Sequence, residues 1–175
     1  MEVYLDSIVY DIGTITVVEV MGRNAGWLTA ATALSAAKGA GPDLIYLPEI
    51  PFDIDKVMSD IKEIYNRQGK CLIAVSEGVK SKDGKYIPEL VGAVKRDAFG
   101  HAQLGGTASI LADYIHDRLN CKVRGIEYSL MQRSAAHLAS KTDVDEAFLA
   151  GRTAVKHALE GTTDYMVAYE RPEAG

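Results

Sequence analysis

The sequence predicts an α/β fold, a three-layer arrangement in which a mainly parallel sheet is covered by helices on both faces. Two observations carry this. Short apolar or β-branched runs alternate along the chain with longer segments whose apolar residues recur at helical spacing. Glycines close the helical segments where a left-handed residue is wanted, and aspartates open two of them as N-caps. Strands separated by helices of this length imply βαβ crossovers, and hence parallel pairing.

Residues 3–9 and 15–20 are predicted strands, with a turn at Asp11-Ile12-Gly13 between them. An alanine-rich helix follows over 27–38 and is closed by Gly39 and Gly41. Residues 44–47 form a short strand stopped by Pro48-Glu49. Asp53 caps a helix running to Arg67, with Ile54, Val57, Met58, Ile61, Ile64 and Tyr65 on its apolar face and Gly69 at its end. A buried-type strand over 71–75 comes next, then a loop over 76–85 that turns at Asp83-Gly84. A helix over 107–120 leads to a strand over 122–128. Asp143 caps a last helix over 144–159, Gly161 stops it, and a final strand is expected over 165–169.

With 175 residues, 47% hydrophobic and 25% charged, the chain is long enough to bury a core of its own. A net charge of −5 argues against nucleic acid or an anionic membrane as partner. No run approaches the roughly 18 apolar residues of a membrane helix, and the first residues lack a signal-peptide pattern; the expected compartment is the cytoplasm. Cys71 and Cys121 read as buried free thiols, and His101, His116, His137 and His157 show no metal spacing, so no metal site is expected in these residues. Neither a Walker loop nor a GxGxxG is present.

In such a sheet, function is expected just beyond the C-terminal strand ends. Met21-Gly22-Arg23 stands where a strand hands over to a helix, so backbone N–H groups and the helix dipole favour an anion there. Arg23 can grip a phosphate through two hydrogen bonds, or simply cap a surface carbonyl. Glu77-Gly78 follows a second strand, and Glu77 reads either as a ligand or as a solvated loop carboxylate. Arg124 to Arg133 surrounds a third strand end, where Arg124 can equally be an edge-strand charge that discourages aggregation. Phe99-Gly100-His101-Ala102-Gln103-Leu104-Gly105-Gly106 reads as a helix-entry loop whose glycines could also cradle an anion.

Four of these segments, in order, resemble the 6-phosphofructokinase family. Residues 17–28, Val-Val-Glu-Val-Met-Gly-Arg-Asn-Ala-Gly-Trp-Leu, are similar to its strand–MGR–helix signature, with wording closer to pyrophosphate-dependent bacterial members. Leu47-Pro48-Glu49 resembles the next strand end, Val75-Ser76-Glu77-Gly78 the segment of the sugar-binding glutamate, and residues 124–133 the late substrate-binding segment. The resemblance implies that Met21, Gly22 and Glu77 hold fructose hydroxyls. It implies that Arg23 stabilises the phosphoryl group in flight, and that Arg124 and Arg133 clamp the 6-phosphate of fructose 6-phosphate, one of them across a subunit interface of a homo-oligomer. Leu130 and Thr14 depart from the pattern of ATP-using members, which carry histidine and arginine there, and Tyr128 is the candidate replacement donor.

The resemblance also implies pyrophosphate or ATP as phosphoryl donor and Mg2+ as the metal that neutralises it. The family's glycine-rich donor loop and aspartate-rich catalytic segment have no counterpart in these residues. The expectation is therefore a fragment, inactive alone: a substrate domain over 1–120, and a continuation over 121–175 that would pack on a donor-binding domain. A stand-alone sugar-phosphate-binding or regulatory module is the alternative.

Overall fold

The computed structural model describes residue 3, residues 13–91 and residues 106–170. The strand expected over 3–9 and the loop over 99–106 lie almost wholly outside these residues, as does His101. Four strands, β1 (Thr14–Val20), β2 (Leu44–Tyr46), β3 (Lys70–Ser76) and β4 (Lys122–Glu127), form a sheet in the order β2-β3-β1-β4. Every pairing in it is parallel. The two central strands are buried on both faces nearly throughout, which is why apolar and β-branched residues fall on both faces of each.

The main core lies on one face. Ile15 and Val17 of β1 and Cys71, Ile73 and Val75 of β3 pack there against two helices. Helix α2 (Ile54–Gln68) contributes Val57 and Ile61, and helix α4 (Thr107–Leu119) contributes Ala108, Leu111, Ala112 and Ile115. On the other face Val18, Val20 and Leu72 form a smaller cluster with Ile126 and Tyr128. Helix α1 (Trp27–Ala31) carries the chain from β1 outward to β2, whereas α2 and α4 carry it back across the sheet. Right-handed crossovers then place α1 on the face opposite α2 and α4, giving the expected three layers.

Local chemistry explains where the elements begin and end. Asp53 accepts from the N–H groups of Asp55 and Lys56, both at 3.1 Å, capping α2 as predicted, and Gly69 closes it with φ +72°. The helix expected over 27–38 is α-helical only as far as Ala31 and continues as a 3-10 helix, Thr32–Lys38. Thr32 and Ser35 donate their hydroxyls to the carbonyls of Thr29 and Thr32, both at 2.6 Å. Those i to i−3 bonds suit the tighter spiral, which alanine content alone does not reveal. A one-turn helix α3 (Ile87–Leu90), opened by Pro88 in its first turn, follows the loop over 76–85.

The chain divides into two compact units, residues 1–132 and 133–175, with a short helix α5 (Leu130–Arg133) at the boundary. The second unit is dominated by α6 (Lys141–Leu159). Its cap is Ser140, which accepts from the Asp143 N–H at 3.3 Å; Asp143, the predicted cap, instead sits in the first turn, where its charge meets the helix dipole. Residues 165–169 pair with no strand among the described residues. Val144, Phe148, Val155 and Leu159 of α6 are all more than half exposed.

Cys71 is a buried free thiol that burial pushes up to about 12, and Cys121 is free and half-buried. Among the described residues no helix is long and apolar enough to cross a membrane. Ile61 has no solvent exposure, so Ile61→Ala should cost about 2–5 kcal/mol in urea denaturation, whereas Leu159→Ala, at 85% exposure, should change stability by less than about 0.5 kcal/mol.

Candidate functional site

The three strand ends named from sequence are brought together by parallel pairing. Val20 of β1 stands opposite Ser76 of β3, and Glu19 opposite Glu127 of β4. The pairing continues one residue further on each side: Glu77 donates its N–H to the Val20 carbonyl at 3.1 Å, and Tyr128 donates to that of Glu19 at 3.5 Å. The segments Met21-Gly22-Arg23, Glu77-Gly78 and Tyr128-Ser129 therefore leave the sheet side by side.

The turn after β1 is bolted onto the end of β3. Gly22 adopts φ +148°, and a Cβ there would stand 2.5 Å from the Ala25 carbonyl oxygen. Ser76 donates its hydroxyl to the Gly22 carbonyl, and the Gly22 N–H points at Oε1 of Glu77 at 3.4 Å. The tightest contact is at Gly78, where a Cβ would lie 1.7 Å from the Arg23 carbonyl oxygen and 2.6 Å from Arg23 Cα. Only glycine permits that approach. The loop after β2 braces the same turn further along: Gly26 donates its N–H to Oε1 of Glu49 at 2.7 Å, just before α1 begins.

A cavity of about 80 Å3 lies at these strand ends, lined by Glu19, Met21, Glu77, Glu127 and Ser129. Glu19 and Glu127 were not singled out from sequence. Glu19 follows Ile15 and Val17 on the face of the sheet that meets α4. It serves as the missing cap of that helix, since Gly106 offers no side chain: Oε2 of Glu19 accepts the Ala108 N–H at 2.9 Å. Ser109 donates its hydroxyl to Oε1 of Glu127, also at 2.9 Å. Burial pushes the Glu19 carboxyl up to about 7, and the neighbouring charges of Glu127 and Glu77 push the same way against the Ala108 hydrogen bond. The signal available in sequence was parity, a carboxylate on the inward face of a strand.

The other expected site residues are distributed differently. Arg23 is exposed at the sheet end. Tyr128 packs against the small cluster of Val18, Val20 and Leu72. Arg124 is half-buried within β4 opposite Thr16, three residues short of the strand end, and shares the face of Ile126 rather than that of Glu19 and Glu127. Arg133 ends α5 and belongs to the second unit. Thr14 is buried at the start of β1, and Leu130 is exposed on α5.

Two outcomes follow from this geometry. Gly78→Ala must displace the Arg23 backbone, and should lower the thermal midpoint by several degrees while altering amide exchange of residues 21–26. Because the folded pKa of Glu19 lies above its ordinary 4.5, its contribution to stability is complete below about pH 4.5 and is lost as pH rises through about 7. Urea midpoints measured from pH 4.5 to 8 should therefore fall less for Glu19→Gln than for the wild type.

The family model described as "Phosphofructokinase" matches residues 7–126. A pyrophosphate–fructose 6-phosphate 1-phosphotransferase of Halomonas elongata is 45% identical over 156 residues, which is 89% of this chain and 36% of that protein. Its counterpart in Xanthomonas campestris is 43% identical over 87% of this chain and 36% of its own length. The solved structure of a pyrophosphate-dependent phosphofructokinase from Nitrosospira multiformis superposes with a TM-score of 0.63 at 32% identity, covering 92% of this chain and 37% of that one. The chain thus spans little more than a third of the length of these relatives, and residues 7–126 take in the four-stranded sheet except for Glu127, the last residue of β4. It belongs to the phosphofructokinase family.

Proposed function

We propose that this chain is the sugar-binding part of a pyrophosphate-dependent phosphotransferase that phosphorylates fructose 6-phosphate at its 1-hydroxyl, acting in the cytoplasm. The observation that carries the reading is the Met21-Gly22-Arg23 turn seated on Glu77-Gly78 at the ends of two paired strands. Met21 and Glu77 line the small cavity beside that seat, and we assign them, with Gly22, to the sugar hydroxyls. Arg23, exposed beside it, is assigned to the charge that develops on the phosphoryl group in the transition state.

In the step proposed, the C1 hydroxyl oxygen forms a bond to a pyrophosphate phosphorus and the bridging P–O bond breaks. The second phosphate leaves, and the hydroxyl proton passes to a carboxylate base. We assign that base and the pyrophosphate site to the remainder of a longer polypeptide, onto which α6 and the residues after it would pack. Phosphofructokinases use a divalent metal, magnesium in our reading. We assign its ligands to that remainder too. On this reading the isolated chain has no turnover.

Arg124 and Arg133 are assigned to the 6-phosphate. The placement of Arg124 on the face away from Glu19 and Glu127 favours its serving the site of a neighbouring subunit, which requires a homo-oligomer.

The test is a chimera in which this chain replaces the matching stretch of the Halomonas enzyme. It should make fructose 1,6-bisphosphate from fructose 6-phosphate and pyrophosphate, and Arg23→Ala should lower kcat about 100- to 1000-fold. A soluble chimera with no turnover would sink the assignment. Arg124→Ala should also inactivate it, and refolding an equal mixture of the Arg23→Ala and Arg124→Ala chimeras should restore activity through hybrids that hold one intact site. No restoration means that Arg124 acts within its own subunit.

A further inference from the structure

The β1 turn is fastened to β3 by backbone packing and by Ser76 and Glu77, and it has a second attachment on the β4 side. Beyond β4 the chain turns sharply. Ser129 sits at φ +39°, Met131 donates its N–H to the Tyr128 carbonyl at 2.8 Å, and Gln132 donates to that of Ser129 at 3.2 Å. This turn carries the half-buried Gln132 side chain back toward β1, where its Oε1 accepts the Met21 N–H at 2.8 Å across 111 residues of sequence. Met21 lines the small cavity, as does Ser129 from the turn that carries Gln132.

We propose that Gln132 is a positioning residue that holds the Met21-Gly22-Arg23 turn in place from the β4 side. It touches no reacting atom and acts through the Met21 backbone. The choice of an amide is physically apt. A hydrogen bond to a backbone N–H needs only an acceptor, and a carboxylate there would add charge to a region where Glu127 and Glu77 already push the Glu19 carboxyl up. The bond ties the first residue after β1, through its backbone N–H, to a side chain of the turn that follows β4.

The consequence for catalysis rests on the function proposed above; the mechanical claim does not. Gln132→Leu removes the acceptor at similar size, and Gln132→Glu keeps one. In this chain, amide exchange at Met21 followed by NMR should accelerate about tenfold in Gln132→Leu and stay near wild type in Gln132→Glu. In the chimera, Gln132→Leu should raise KM for fructose 6-phosphate about tenfold and lower kcat as well, because the same turn presents Arg23, while Gln132→Glu should keep both near wild type. Unchanged Met21 exchange in Gln132→Leu overturns the proposal. Faster exchange with unchanged KM also overturns it, because Gln132 would then serve stability alone. If the wild-type chimera is inactive, the function assignment falls by itself, and the exchange comparison still decides whether Gln132 holds the turn.

Discussion

The contact on which the rest of the site depends is backbone against backbone: the Arg23 carbonyl lying where a Cβ of residue 78 would be. Two loops cannot approach so closely unless one of them presents a glycine and the other takes a conformation that brings its carbonyl inward. Gly22, at φ +148°, meets the second requirement. The glycine of each motif thus serves the other motif. Met-Gly-Arg and Ser-Glu-Gly, separated by more than fifty residues in sequence, form a single interlocked corner at the end of two parallel strands.

Around that corner the molecule places negative charge where elementary electrostatics resists it. Glu19, Glu77 and Glu127 share one small cavity, and Glu19 and Glu127 stand directly opposite each other on neighbouring strands. The first turn of α4 offsets part of this cost through the Ala108 N–H and the Ser109 hydroxyl, aided by the positive end of the helix dipole. Burial still dominates for Glu19, which is why its carboxyl titrates near neutrality. The helix that covers the main core is therefore also tied to the floor of the site, and core packing and site electrostatics share residues.

The second unit carries a helix with an exposed apolar stripe. Val144, Phe148, Val155 and Leu159 of α6 are exposed, although their spacing is that of a core-facing stripe. Tyr169, at the far end of this unit, bonds to the Glu146 carbonyl, so residues 165–169 return along α6 rather than joining a strand. Apolar composition alone predicted a strand there. Strand formation requires a partner edge, and an apolar pentapeptide carries no information about whether one is at hand.

The order and type of most elements were legible in the residues. Asp53 and Gly69 mark the ends of α2 because capping is local chemistry, and the apolar and β-branched residues on both faces of β1 and β3 announce buried strands. The candidate residues Met21, Gly22 and Glu77 were legible for a similar reason, since parallel sheets gather their C-terminal strand ends. Other features waited for the tertiary structure. Ser140 rather than Asp143 caps α6, a matter of three residues that only backbone geometry settles. Arg124 lies on the face opposite Glu19 and Glu127 because register and parity, not motif spacing, decide where a mid-strand side chain goes. Glu19 and Gln132 gained their roles from partners 89 and 111 residues away. By itself the sequence determined most of the elements and the strand ends that meet, because helix caps, strand runs and parallel crossovers follow from nearby residues. The tertiary structure alone decided which side chains from distant segments share a cavity, because hydrogen bonding, burial and charge repulsion act through space.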